Sequence, residues 1–268
     1  MKLGFIGAGN MAGAIIKGFI NKNCVNSSDI YFIRQNKEKQ AQQAKELGIN
    51  GCDDYDGLIE NSDILFLGVK PVVFPTLLPQ IAKSVKKKNP LVVSMAAGLT
   101  TDSIKEMLGY DAKIIRIMPN VNAAIAMSTT AVCKNEFASD KDLATIKNLF
   151  STIGLTTEVP ENQFAIFTAI AGCSPAYVYM FIDGLARGAQ KMGMNKQKAL
   201  EIAASAVIGS ASMYAQSNEH PQELVDKVCS PGGTTIEGVT TLEEYKFTAG
   251  VVKAVENSIL KDRELSKK

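Results

Sequence analysis

Between residues 2 and 160, short apolar runs alternate with helical patterns; after Pro160 the strand signals stop. That switch constrains the fold more than any other feature of the chain. Runs such as ILFLGV (64–69) and PLVVSM (90–95) lack polar alternation, as strands covered on both faces do. The expected strands are 2–6, 30–33, 64–68, 91–94, 113–118, 129–133 and 156–159, with helices such as 11–20, 37–47 stopped by Gly48, and 140–150 capped by Ser139 between them. Strand alternating with helix predicts a doubly wound, mostly parallel sheet. Beyond Pro160, the segments 161–171, 175–191, 196–216, 221–228 and 242–265 all read as helices, the last opened by a capping box from Thr241 to Glu244. The expected organisation is therefore an α/β domain over 1–160 and an all-α domain over 161–268.

Composition narrows the class. Of 268 residues, 46% are hydrophobic and the net charge is +2, which argues against disorder and against a nucleic-acid stripe. Five widely spaced cysteines without a C-x-x-C predict reduced thiols rather than disulfides or a metal site. The first residues show no charged-then-apolar signal pattern, so a cytoplasmic protein is expected. The apolar run 199–215 carries Glu201 and several serines and is short for a membrane span. It reads as a helix buried in part against a second copy of the chain, with an ordinary core helix as the alternative.

The first strand runs into Gly7-Ala8-Gly9-Asn10-Met11-Ala12, a G-x-G-x-x-A turn that opens a helix. Gly7 permits the tight turn, Gly9 lets backbone approach a pyrophosphate, and Ala12 keeps the helix close to the sheet. The free N–H groups of the helix start then face the phosphates. A dinucleotide is the expected ligand. No acid stands at the tip of the second strand to bond a ribose 2′-OH; Arg34, Asn36 and Lys37 do, which favours NADP(H) with NAD(H) also accepted. Two further strand ends face the same ligand: Val69-Lys70-Pro71 and Ala96-Ala97-Gly98.

Carbonyl reduction calls for a general acid, often His or Lys. The one histidine, His220, sits in a polar turn, and the stretch 161–186 contains no lysine. A protonated imine needs orientation and a hydrogen-bond partner at nitrogen instead, so the residues suit C=N better than C=O reduction. Late in the chain, VCSPGGTTIEG (228–238) interrupts the helices. Pro231-Gly232-Gly233 can expose consecutive N–H groups and Thr234-Thr235 can start the next helix, an arrangement that receives a small carboxylate. An ordinary helix–helix turn reads the same on these residues alone.

The segment HPQELVDKVCSPGGTTIEGVTTLEE (220–244) resembles the C-terminal signature of the pyrroline-5-carboxylate reductases. GFIGAGNMA, ILFLGVKP, VVSMAAGLT, RIMPN and SPAYVYMFIDGLARGAQKMG match family segments in order. The resemblance implies a Rossmann-type N-terminal domain, an all-α C-terminal dimerisation domain and further homo-oligomers. It also implies NAD(P)H-dependent reduction of L-1-pyrroline-5-carboxylate to L-proline. By match to the motif, Ser230, Gly232, Gly233 and Thr234 would hold the substrate carboxylate and Thr235 its nitrogen. The chain departs from the family pattern at Val121, Asn122, Ala171 and Cys229. A reductase of another cyclic imine or β-hydroxyacid, and a non-catalytic dinucleotide-binding dimer, are the alternatives. No membrane or nucleic-acid partner is expected.

Overall fold

The structure is a computed structural model and describes residues 1–265. Its sheet has eight strands: β1 (Leu3–Ile6), β2 (Ile30–Ile33), β3 (Asn50–Gly51), β4 (Ile64–Leu67), β5 (Leu91–Ser94), β6 (Ile114–Met118), β7 (Ser128–Lys134) and β8 (Gly154–Glu158). Their order is β3-β2-β1-β4-β5-β6-β7-β8, and every pairing is parallel except β6 with β7. The chain order reverses between β1 and β4, which opens a crevice at their carboxyl ends where ligands of such sheets bind. Residues of β1, β4 and β5 are buried along their whole length, as unalternated apolar runs require.

Each face of the sheet carries its own core. On one, Phe5 and Phe66 stack at 4.5 Å and pack with Ile15, Ile16 and Phe19 of α1 (Asn10–Asn21) and with Ile146 and Phe150 of α6 (Asp140–Ser151). On the other, Ile6, Leu65 and Leu67 meet α3 (Tyr55–Glu60), α4 (Phe74–Lys88) and α5 (Thr101–Leu108). Helix α2 (Lys37–Leu47) ends where expected, with Gly48 left-handed at φ 66°, and Ser139 caps α6 through a full capping box. The two-residue β3 carries too little apolar pattern to be legible beforehand.

No strand follows β8 among the described residues. Packing nevertheless divides the chain later than Pro160. One compact unit holds residues 1–172 and 259–265, and the other holds Cys173–Ser258. The reason lies within the first unit: Phe164, Phe167 and Ala171 bury against Met118, Ala131 and Cys133. The segment expected as one helix over 161–171 is a 3₁₀ turn, a single α turn α7 (Phe164–Phe167), then a π-type widening over Thr168–Gly172. Thr168 Oγ1 donates to Phe164 O at 2.8 Å there, and local competition of this kind loosens an α ladder.

The second unit contains α8 (Ser174–Lys191), α9 (Lys196–Gln216), α10 (Pro221–Val228), α11 (Thr234–Glu244) and the start of α12 (Phe247–Leu265). The expected single helix over 242–265 is corrected. The chain becomes helical at Thr234, so Thr241 lies inside α11 and its hydroxyl donates to Glu237 O at 2.8 Å instead of capping. The break comes at Lys246, left-handed at φ 56°. His220, expected as a plain loop residue, is the N-cap of α10, its Nδ1 accepting from Gln222 N–H. Tyr177 and Ser258 share a 2.7 Å hydrogen bond that ties α8 to α12.

Much apolar surface in this unit is open. Met180 is 74% exposed, and Tyr179, Phe181, Ile202, Ile208 and Met213 are exposed with it. Helix α9 buries only Ala199 and Ala203 within one chain. The run Glu161–Lys191 is long and apolar enough to cross a membrane by length and composition alone.

Candidate functional site

One candidate site forms where β1 meets α1. Gly7 is left-handed at φ 86°, and its N–H donates to Ile33 O at 2.9 Å, joining the tips of β1 and β2. A side chain at Gly7 would lie 2.8 Å from Gly68 O. Gly68 is a partner the motif did not point to: a Cβ there would overlap Gly7 O and come within 3.0 Å of Ala12 Cβ. The two glycines let the ends of β1 and β4 close on each other. Gly68→Ala is therefore expected to cost about 1–3 kcal/mol of stability through overpacking. Thermal unfolding and an NADP⁺ titration on the same variant would show both the strain and its effect on the turn.

Gly9 differs. A Cβ on it would meet nothing within 4 Å, so packing within the chain does not demand glycine there. Helix α1 begins at Gly9 with no side-chain cap and no acid in its first turn. Its first N–H groups are thus left for an anion, in the direction the helix dipole favours. The chain's residues fit the pyrophosphate of a dinucleotide at this point.

Beside that start lies a cleft of about 480 Å³ lined by Ala8, Gly9, Asn10 and Arg34, and by Lys39, Gln42 and Gln43 of α2. Of the sequence-predicted cofactor residues, the cleft gathers Ala8, Gly9, Asn10 and Arg34. Val69, Lys70, Pro71, Ala96, Ala97 and Gly98 lie outside it, at the tips of β4 and β5 on the same edge of the sheet. Asn36 is occupied as the N-cap of α2, accepting from Lys39 N–H at 2.8 Å. Lys37 turns away and donates to Cys52 O and Asp53 O. Lys39, Gln40 and Gln43 went unnoticed in the sequence. Their spacing within α2 was the available signal, since 39 and 43 share a helix face.

A second cluster lies at the start of α5. The Arg116 side chain is 6% exposed and meets Glu161 at 3.2 Å, while its guanidinium stacks 4.5 Å over the ring of Phe164. Glu161 accepts from Thr101 N–H at 2.8 Å and from Thr101 Oγ1 at 2.9 Å. Asn120 donates to Ala171 O at 3.0 Å and accepts from Thr129 N–H, so the departures at 121, 122 and 171 surround an intact knot. Burial pushes the Cys133 thiol up to about 12, which keeps it protonated and inert. All five cysteines are free.

A separate candidate site lies in the second unit. Gly232 is left-handed at φ 66°, and Gly233 N–H donates to Ser230 O at 3.0 Å. A side chain on Gly233 would overlap Ser230 Oγ. Gly233 then opens α11 without a side-chain cap, so this helix also starts with unclaimed N–H groups. Thr235 is half-buried, and neither it nor Thr234 uses its hydroxyl within the described residues. Thr240 and Thr241 differ, since both hydroxyls bond carbonyls one turn back.

Over 266 residues, 99% of this chain and 98% of the other, the sequence is 40% identical to a pyrroline-5-carboxylate reductase of Escherichia coli. The chain belongs to the pyrroline-5-carboxylate reductase family. A relative of the same name from Methanosarcina acetivorans is 34% identical over 274 residues, spanning 100% of this chain and 98% of that one. Residues 161–265 match the model for pyrroline-5-carboxylate reductase dimerisation, and residues 2–98 that for coenzyme F420-dependent NADP oxidoreductases. The crystal structure of a Streptococcus pyogenes 1-pyrroline-5-carboxylate reductase superposes with a TM-score of 0.89 at 37% identity, covering 98% of both chains. A Plasmodium falciparum pyrroline carboxylate reductase with NADP bound gives 0.90 at 29% identity, covering 99% of this chain and 98% of that one. The family's dimerisation region coincides with the open apolar helices α8, α9, α11 and α12.

Proposed function

We propose that the chain reduces L-1-pyrroline-5-carboxylate to L-proline, the last step of proline synthesis, with NADPH preferred over NADH. What carries this is full-length membership of the family together with two uncapped helix starts, one at Gly9 and one at Gly233. The dinucleotide supplies a hydride when bound. Gly7 shapes the turn, its own N–H being bonded to Ile33 O, and Ala8, Gly9, Asn10 and Met11 hold the pyrophosphate through backbone N–H groups. Val69, Lys70, Pro71, Ala96, Ala97 and Gly98 border its nicotinamide half. Arg34 takes the ribose phosphate, and Asn36 serves by fixing the first turn of α2.

The bend at 230–235 binds the substrate carboxylate with Ser230, Gly232, Gly233 and Thr234. Charge-assisted bonds of this kind contribute about 1.5–3 kcal/mol each. The Thr235 hydroxyl orients the ring nitrogen. A protonated imine arrives with its own proton, so no further acid is required of the chain. Residues 1–160 serve the cofactor, and 161–268 serve the substrate and the dimer. The exposed faces of α8 and α9 are the dimer contact, which favours a homo-oligomer over a membrane span for the apolar run 161–191. The working place is the cytoplasm.

The test is oxidation of reduced nicotinamide by purified protein with pyrroline-5-carboxylate. NADPH is expected to give the higher kcat/KM, and Arg34→Ala to narrow the gap to NADH. No oxidation above the substrate-free blank would refute the activity. Faster turnover of another cyclic imine or of a β-hydroxyacid in an acceptor panel would reassign the substrate.

A further inference from the structure

Four charged side chains line the cleft between α1 and α2: Lys17, Arg34, Lys39 and Glu46. Lys17 and Glu46 pair at 2.9 Å and cancel each other. Arg34 and Lys39 have no acidic partner among the described residues. A neutral group holds Arg34 instead, its Nη1 donating to Gln43 Oε1 at 2.7 Å. The Arg34 backbone N–H donates to Gln40 Oε1, also at 2.7 Å, and Gln40 Nε2 donates on to Cys52 O at 2.8 Å. Two glutamines on one face of α2 thus fix both the main chain and the head of one arginine.

The choice of an amide matters chemically. A carboxylate in this place would orient the guanidinium and neutralise it; an amide orients it and leaves the charge for a ligand. The Gln43 amide lies against α1, where a Cβ on Gly13 would stand 3.4 Å from its Nε2. We infer that Gln43 is the positioning residue for cofactor choice: it aims Arg34 so that Arg34 and Lys39 form a two-cation seat for a phosphomonoester, the ribose 2′-phosphate of NADP(H). This assignment rests on the cofactor reading above and adds which side chains set the preference. It gives Lys39 the part that Asn36 and Lys37, both bonded elsewhere, do not play.

Calorimetric titration of the full chain with adenosine 2′,5′-bisphosphate and with 5′-AMP isolates the phosphate. The wild type is expected to bind the bisphosphate at least about tenfold more tightly than 5′-AMP. Gln43→Glu keeps the side-chain volume and puts a carboxylate on Arg34, so that ratio is expected to fall to near unity. Lys39→Ala is expected to lower it about fivefold, the effect of one charge-assisted contact. A folding defect weakens both ligands together and leaves the ratio, and Gln43→Ala offers a second variant should Gln43→Glu fold poorly; its ratio is expected to drop about threefold. An unchanged ratio in whichever Gln43 variant keeps the wild-type melting temperature overturns the role of Gln43. A wild type with no preference for the bisphosphate overturns the NADPH assignment, and the seat with it. That outcome is distinct because it appears before any substitution.

Discussion

Glu161→Ala is expected to destabilise the N-terminal unit by about 3 kcal/mol, the low end of the range for removing one partner of a buried ion pair. The Arg116 side chain is 6% exposed and that of Glu161 27%, so the substitution strands a guanidinium with little access to water. Arg116 Nε already lacks a hydrogen-bond partner, which leaves it no reserve. The loss also frees Thr101 N–H and Oγ1, both of which bond Glu161 in the first turn of α5. Two features keep the effect from the top of the range. The Phe164 ring still faces the guanidinium. Asp262, whose carboxyl is pushed up mainly by burial, also feels the Arg116 charge. Urea unfolding of the single variant and of Arg116→Met with Glu161→Leu separates charge from packing, since a well-packed apolar pair recovers most of what a lone charge loses. A single variant within about 0.5 kcal/mol of wild type would remove the pair from the account of stability. The same contact fixes the first turn of α5, which begins at Thr101, just beyond the Ala96–Gly98 tip proposed to border the cofactor.

That contact was invisible beforehand, whereas the sheet was not. The strands β2 and β5 and the helices α2, α9 and α10 lie at the expected residues because each has a local cause: an unbroken apolar run, a left-handed Gly48, an Asn195 cap. Errors arose where the cause was distant or contested. Thr241 to Glu244 has the right residue types for a cap, but Thr234 had already started the helix seven positions earlier. The stretch from Glu161 to Ala171 reads as α-helical, yet it pairs its first residue with Arg116 and Thr101, some 45 and 60 positions away, and widens towards its end. Neither spacing nor propensity encodes such long-range pairing. The turn between β1 and α1 and its neighbours divide in the same way. Gly7, Gly9 and Ala12 belong to a contiguous motif and were legible. Gly68 matters only because β4 lies beside β1, and Gln43 only because α2 brings it to Arg34.

Thr235→Ala is expected to lower kcat/KM for pyrroline-5-carboxylate about tenfold to a hundredfold, the loss of one hydrogen bond made to a charged group in the transition state. The structure gives this threonine an unusual freedom. Helix α11 has two threonines further along whose hydroxyls are spent on Ile236 O and Glu237 O, as exposed helical threonines commonly do. Thr235 stands in the first turn, where no carbonyl one turn back lies within the helix to receive it, so its hydroxyl stays available to a ligand. Removing it should therefore leave the fold intact: the residue is only half-buried and caps nothing. Thr235→Ser restores the hydroxyl without the methyl and is expected to remain within about threefold of wild type. Thr235→Val keeps the shape without the hydroxyl and should match the alanine variant. A loss confined to kcat would place the bond in the transition state, and an equal rise in KM would place it in the ground state as well. Wild-type kinetics in both Thr235→Ala and Thr235→Val would remove the hydroxyl from the mechanism, and the bend proposed to bind the carboxylate would then have to orient the ring through its N–H groups alone.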